Sequence, residues 1–228
     1  MLRTDEFRPP SIVFDGRLWP SDELAAIAAG WLDHIRSSIP PAARLTALPL
    51  PNHPGAVALF FALSSLPLPV IVLPPDPRVW RSSPPIPPGT PVFLPPSLAA
   101  MAPAGESLGL RAVVLSEPRP ASGATRLPPV LASPGIVNFT SGSTGLPKPV
   151  YILTRSFVLQ TAAIVAASRL SAESAVAASL PLATHYGLGQ ALLLPTMLGS
   201  SVGLLERFDH RSLLRLFGSG RYAYWAGT

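Results

Sequence analysis

The sequence predicts an α/β protein whose βα units form two sheets, or two sheet halves, with flanking helices. Three observations carry this reading. Short apolar runs of strand length alternate with longer amphipathic runs of helix length. One alternation, over residues 45–73, makes a strand–helix–strand unit of about 30 residues, which implies a parallel sheet. After a stretch rich in Pro, Ser and Gly at 116–135, the same alternation starts again and runs to the end of the chain.

The elements follow in order. Ser21 to Ser38 is the clearest helix: Leu24, Ile27, Ala28, Trp31, Leu32 and Ile35 fall on one stripe. Ser21 is placed to cap it, and Asp22 and Glu23 sit where the helix dipole favours negative charge. Leu45 to Leu50 is a strand, Ala56 to Leu66 a helix and Pro69 to Leu73 a buried strand. Residues 74–109 are proline-rich and read as extended connections with one short strand at Val92 to Leu94. Arg111 to Leu115 is a further strand. The 116–135 stretch is the best internal boundary, dividing a first α/β part (1–115) from a second (136–228). Beyond it, Ile136 to Phe139, Val150 to Leu153, Val176 to Leu180, Ser201 to Leu205 and Tyr222 to Trp225 are strands. Arg155 to Leu170, Gly187 to Leu198 and a segment capped by Asp209 are helices.

Composition narrows the function classes. The chain has 228 residues, a net charge of +5, 30 prolines and only 13% charged residues, about half the usual share. Such a surface invites cover by another segment or chain, and self-association is expected. The arginines are scattered from Arg3 to Arg221 without an aromatic-interleaved cluster, which argues against nucleic acid. There is no cysteine, which excludes disulfides and thiolate chemistry and fits a cytoplasmic protein. Ser174 to Leu205 carries no charged residue, but Pro181, Pro195, His185 and several glycines interrupt it. It reads as buried helix–strand alternation and not as a membrane span. No His/Asp/Glu spacing suggests a metal cage, and His34, His53 and His210 receive no role.

The most informative run is Phe139-Thr140-Ser141-Gly142-Ser143-Thr144-Gly145-Leu146-Pro147-Lys148. Lys148 is the only lysine; the remaining basic residues are all arginine. A loop of small, hydroxyl-bearing and glycine residues can turn its N–H groups inward, and its hydroxyls can donate to the same anion. A compact ammonium group completes a phosphate site. The plainer alternative is a Ser/Gly-rich surface turn.

Thr-Ser-Gly-Ser-Thr-Gly-x-Pro-Lys resembles the phosphate-loop signature of the adenylate-forming superfamily: acyl-CoA synthetases, aryl-acid ligases, adenylation domains and luciferases. It is not a Walker A loop, since no Gly-Lys-Ser/Thr follows the glycines. Where the family usually has Gly after the lysine, this chain has Pro149. Weaker similarity extends over Leu18 to Leu24, Pro69 to Pro77 and Leu180 to Val202. The resemblance implies the N-terminal part of the adenylate-forming synthetase fold, without the C-terminal subdomain.

The resemblance implies a two-step reaction. A carboxylate attacks the α-phosphate of ATP, and the acyl-adenylate then passes its acyl group to the thiol of CoA or a carrier protein. Thr140, Ser141, Gly142, Ser143, Thr144, Gly145 and Lys148 would hold the ATP phosphates, with Mg²⁺ accompanying the nucleotide. The turn Pro181-Leu182-Ala183-Thr184-His185-Tyr186-Gly187 would line the acyl pocket. Aligned on Pro181, Tyr186 and Gly187, Thr184 takes the position of the family's histidine and His185 falls one place later, so both are candidates. The Tyr186-Gly187-Leu188 turn leans towards fatty or aryl acids. The family's ribose aspartate, metal carboxylate and adenylation lysine lie further along than Thr228. The chain is therefore expected to be inactive alone and to need a C-terminal part in cis or in trans. The alternative is a non-catalytic half that binds a partner subunit or a phosphate without turnover.

Overall fold

The computed structural model describes residues 8–82, 86–118, 132–140 and 147–227. The chain opens with a hairpin that is not among the expected elements. Strands β1 (Ser11–Phe14) and β2 (Arg17–Trp19) pair antiparallel across Asp15-Gly16. Both turn residues have positive φ, 48° and 75°, the conformation for which Asp-Gly is favoured in a two-residue hairpin. Helix α1 (Ser21–Ser38) has the expected bounds and buries Leu24, Ala28, Trp31, Leu32 and Ile35.

The cap of α1 corrects the sequence reading. Pro20 holds the cap position without a side-chain bond, and Ser21 is already helical. The Ser21 N–H donates to Ser11 Oγ at 3.1 Å, and Ser21 Oγ donates to the Pro9 carbonyl at 2.6 Å. A strand residue therefore satisfies an orphan N–H of the first turn.

Strand β3 (Thr46–Pro49), helix α2 (Pro54–Ser64) and strand β4 (Val70–Leu73) form the expected unit, with β3 and β4 parallel. Helix α2 has no charged residue and is buried on almost every side. Burying side chains such as Leu59, Phe60 and Phe61 contributes roughly 1.5–3 kcal/mol each, which compensates for the missing amphipathic stripe.

Residues 74–109 depart from the extended connections expected. Besides β5 (Pro91–Leu94) they form α3 (Pro77–Ser82), a 3₁₀ turn (Pro96–Met101) and α4 (Ala102–Glu106). Proline fits the first turn of a helix, where its missing N–H has no intrahelical acceptor. Pro77, Pro96 and Pro103 therefore start helices instead of preventing them. Trp80 is buried, and its Nε1–H donates to the Pro74 carbonyl at 2.8 Å. With Met101 and Leu110 it builds a second, smaller core.

The remaining elements are β6 (Arg111–Val114), β7 (Gly135–Phe139), β8 (Pro149–Leu153), α5 (Thr154–Ser168) and β9 (Ala175–Ala178). Then α6 (His185–Gly187), a π-helical stretch (Leu188–Leu193) and α7 (Leu194–Leu198) run head to tail. Strand β10 (Ser201–Leu204), helix α8 (His210–Gly218) and strand β11 (Tyr222–Ala226) complete the chain. Asp209 caps α8 as expected, its Oδ2 accepting from Ser212 N–H at 2.8 Å. The charge-free stretch Ser174 to Leu205 thus becomes strand, broken helix and strand. Among the described residues no helix is long and apolar enough to cross a membrane.

Two sheets result, in the orders β6-β5-β3-β4-β7-β8 and β11-β9-β10-β1-β2. Pairing is parallel except in the two edge pairs, β7–β8 and β1–β2. Each sheet takes strands from both sides of 116–135, so the sheets do not divide the chain at that segment. Residues 119–131 of it lie outside the described residues. Side chains alternate along β4: Val70 and Val72 join the main core, which also takes residues of β9, β10, α1 and α2, while Ile71 and Leu73 join the smaller one.

Candidate functional site

The carboxyl ends of the parallel strands of both sheets meet at Asn52, in the loop from β3 to α2. Its Nδ2 donates to the carbonyls of Leu180 at 3.0 Å and Leu205 at 2.8 Å, and its Oδ1 accepts from Leu182 N–H at 2.9 Å. One buried amide thereby ties the β3 end to the segments that follow β9 and β10. In open α/β sheets this end of the strands is where ligands bind. Asn52 is not among the sequence candidates; the turn Pro51-Asn52-His53-Pro54-Gly55 identifies a loop but not its long-range partners.

Thr140 and Lys148, the flanks of the predicted phosphate loop, lie at this end. Strand β7 runs into Thr140, and β8 returns from Lys148. The Thr140 N–H donates to the Lys148 carbonyl at 3.0 Å, and the Lys148 N–H donates to Thr140 Oγ1 at 2.9 Å. The first bond extends the antiparallel ladder beyond the Phe139–Pro149 pair, and the two together close the neck of the loop. Thr140 Oγ1 accepts from backbone here, so its own hydrogen stays free to donate to an anion. Both residues are exposed. Ser141, Gly142, Ser143, Thr144 and Gly145 lie outside the described residues. Pro149, the departure from the family pattern, is the first residue of the edge strand β8, a position where a sheet tolerates proline.

The second constellation starts α6. Thr184 is its cap: its Oγ1 accepts from Gly187 N–H at 3.0 Å and donates to the Pro181 carbonyl at 2.8 Å. The hydroxyl is therefore committed to the turn. Gly187 is required by close approach, because a Cβ there would stand 2.1 Å from the Pro181 carbonyl oxygen. His185 is half-buried and stacks on Phe157 with ring centroids 4.7 Å apart. Burial holds its pKa below the ordinary histidine value, and its Nδ1 has no hydrogen-bond partner. Tyr186 is exposed.

The two constellations are linked through Asn138, another residue absent from the sequence candidates. It lies on β7, two residues before Thr140, and its Nδ2 donates to the Ala183 carbonyl at 3.3 Å. The phosphate-loop strand and the Thr184–Gly187 turn are thereby joined. Among the described residues, no group of three or more His, Cys, Asp or Glu could hold a metal ion.

A cleft of about 910 Å³ opens elsewhere, between α8, the Asp15-Gly16 turn and the segment after β10. Arg207, Arg215 and Arg221 line it together with Asp15, Glu206 and Asp209, and none of Thr140, Lys148 or Thr184–Gly187 does. Its charges are of mixed sign, which does not define an anion site.

The comparisons agree with this geometry. The chain belongs to the AMP-binding enzyme family of the adenylate-forming superfamily: the family's sequence model matches residues 99–227. No curated protein matches by sequence. Among solved structures, ATP-bound MatB from Rhodopseudomonas palustris superposes with a TM-score of 0.74 at 17% identity, over 98% of this chain and 47% of that one. A malonyl-CoA ligase in complex with methylmalonyl-CoA and AMP gives 0.69 at 23% identity, over 98% and 46%. A putative long-chain-fatty-acid CoA ligase from R. palustris gives 0.69 at 16% identity, over 96% and 59%. The chain spans about half the length of the first of these structures. At such identities the likeness establishes the fold.

Proposed function

We propose that this chain supplies the phosphate-binding, N-terminal part of an ATP-dependent acid–thiol ligase. The ligase forms an acyl-adenylate and passes the acyl group to CoA or a carrier-protein thiol. The observation that carries the reading is the double Thr140–Lys148 bond, which fixes the Thr140 hydroxyl and the backbone of the sole lysine at the two ends of the loop. Charge grows on the phosphate oxygens as the bond to pyrophosphate breaks, and donors already held in place stabilise it without reorganisation. Thr140 and Lys148 fit that task, with Ser141, Gly142, Ser143, Thr144 and Gly145 completing the cradle. Mg²⁺ would enter with the phosphates of ATP. Thr184, His185, Tyr186 and Gly187 would line the acyl pocket, and the turn favours a fatty or aryl acid. Lys148 is the sole lysine and is used in the loop. The adenylation lysine therefore comes from a C-terminal part, in cis or in trans, and the 228 residues alone do not turn over.

Isothermal titration of the chain with inorganic triphosphate tests the loop. Binding is expected, and Lys148→Ala should weaken it by roughly ten- to a hundredfold. Equal binding by both proteins overturns the phosphate-loop reading. ATP–pyrophosphate exchange above background from the 228 residues would overturn the division of labour.

A further inference from the structure

Asn138 is only 2% exposed, yet it is polar, and Ile136, two residues earlier on β7, belongs to the main core. Its Nδ2 reaches the Ala183 carbonyl, but its Oδ1 is buried without a partner. A buried acceptor left unmade costs about 1–3 kcal/mol, whereas an apolar side chain of similar shape is close to neutral. Stability therefore does not account for an amide at this position. What the amide does is join two segments 45 residues apart. On one side, Asn138 lies two residues before Thr140, which directly follows β7, and Thr140 holds the Lys148 N–H at the neck of the loop. On the other, Ala183 precedes Thr184, whose hydroxyl holds the Gly187 N–H at the start of α6.

We propose that Asn138 is a positioning residue, which keeps the neck of the phosphate loop in register with the Thr184–Gly187 turn, so that a polyphosphate in the loop is felt at the turn. The proposal rests on the phosphate-loop reading above. In a ligase that must hold ATP and acid together, such a link orders the acid-binding turn when the nucleotide is in place.

Two measurements on the whole 228-residue chain test it, using Asn138→Leu and Asn138→Ala. The first needs no ligand. Amide hydrogen exchange at Lys148 and Gly187 should quicken by about tenfold in the variants while exchange within α2 stays unchanged. In the second, inorganic triphosphate should shift the Gly187 amide resonance of the unaltered chain, and the variants should bind triphosphate with that shift lost. Unchanged exchange at both amides overturns the proposal, as does a Gly187 shift that survives in a variant. Failure of both variants to fold would assign Asn138 to the core and also overturn it. Lys148→Ala separates the two ideas. If it binds triphosphate as the unaltered chain does, the phosphate-loop reading falls, while the exchange result still decides whether Asn138 couples the segments.

Discussion

The side-chain amide of Asn52 donates to the carbonyl oxygen of Leu205 at 2.8 Å, joining residues 153 positions apart in the sequence. The same side chain holds Leu180 and Leu182. Asn52→Ala leaves two carbonyls and one N–H without partners, and should destabilise the chain by about 2–4 kcal/mol. Asn52→Asp should do no better, because a carboxylate cannot donate to two carbonyls. Urea denaturation decides the matter; a midpoint unchanged by Asn52→Ala would mean that water replaces the side chain at no cost.

Two glycines make a controlled comparison. Gly187→Ala drives a Cβ into the Pro181 carbonyl, backbone that cannot swing aside, and should cost about 2 kcal/mol or more. Gly218→Ala meets nothing within 4 Å and should be neutral or slightly stabilising, since alanine favours the helix by up to about 1 kcal/mol. Thermal melts of the two variants should differ in this direction; equal melting would show that the turn before α6 yields easily.

The neck of the loop separates a hydroxyl from a methyl. Thr140→Val removes the acceptor for the Lys148 N–H and the free donor, and should weaken triphosphate binding by roughly a factor of ten or more. Thr140→Ser keeps both and should bind nearly as the unaltered chain. Titration calorimetry reads the outcome, and equal affinities for Val and Ser would remove Thr140 from the site.

Acid should destabilise the chain through its histidines. His53 Nδ1 accepts from Gly55 N–H at 3.1 Å at the start of α2. Burial lowers the His53 pKa, with the Glu206 carboxylate opposing, and burial lowers that of His185. In the window between the folded values and the unfolded value of 6.5, the unfolded chain binds more protons. Stability therefore falls as pH drops below about 6.5 and levels off once the folded values are passed. Urea midpoints from about pH 7.5 to about pH 5 should decline. His53→Asn, which keeps a capping acceptor, should shrink the decline. A flat profile would contradict it.

Self-association should centre on elements after the loop. Edge strand β8 presents Val150, Tyr151 and Leu153 to solvent, and Leu159 of α5 is exposed beside it in sequence. Such an edge is a template for pairing. Trp31 of α1 is buried, with its Nε1–H bonded to the Ser116 carbonyl at 2.9 Å, so α1 offers no comparable surface. Sedimentation should give species above 23.9 kDa, shifted towards monomer by Leu153→Lys. A monomer at every concentration would count against this.

Much of the local structure was legible in the residues. The stripe from Leu24 to Ile35 set both ends of α1, Asp209 announced α8, and the loop run with Lys148 pointed to the family. The Asp15-Gly16 dipeptide is itself a hairpin signal, overshadowed by the helix that follows it. The helices around Trp80 are obscured in the sequence because proline reads as a breaker, whereas at the first turn of a helix it costs nothing.

The sequence by itself determined most of the strands and the longer helices, because periodicity, caps and turn residues act over a few positions, and it determined the small, hydroxyl-rich make-up of the loop. Only the tertiary structure decided that β7 lies beside β4 and β1 beside β10, and that Asn52 and Asn138 are buried bridges and not surface polar residues. Strand partners and buried amides are chosen by contacts between segments far apart in the chain, whose loop-closure cost is recovered only when the core has formed.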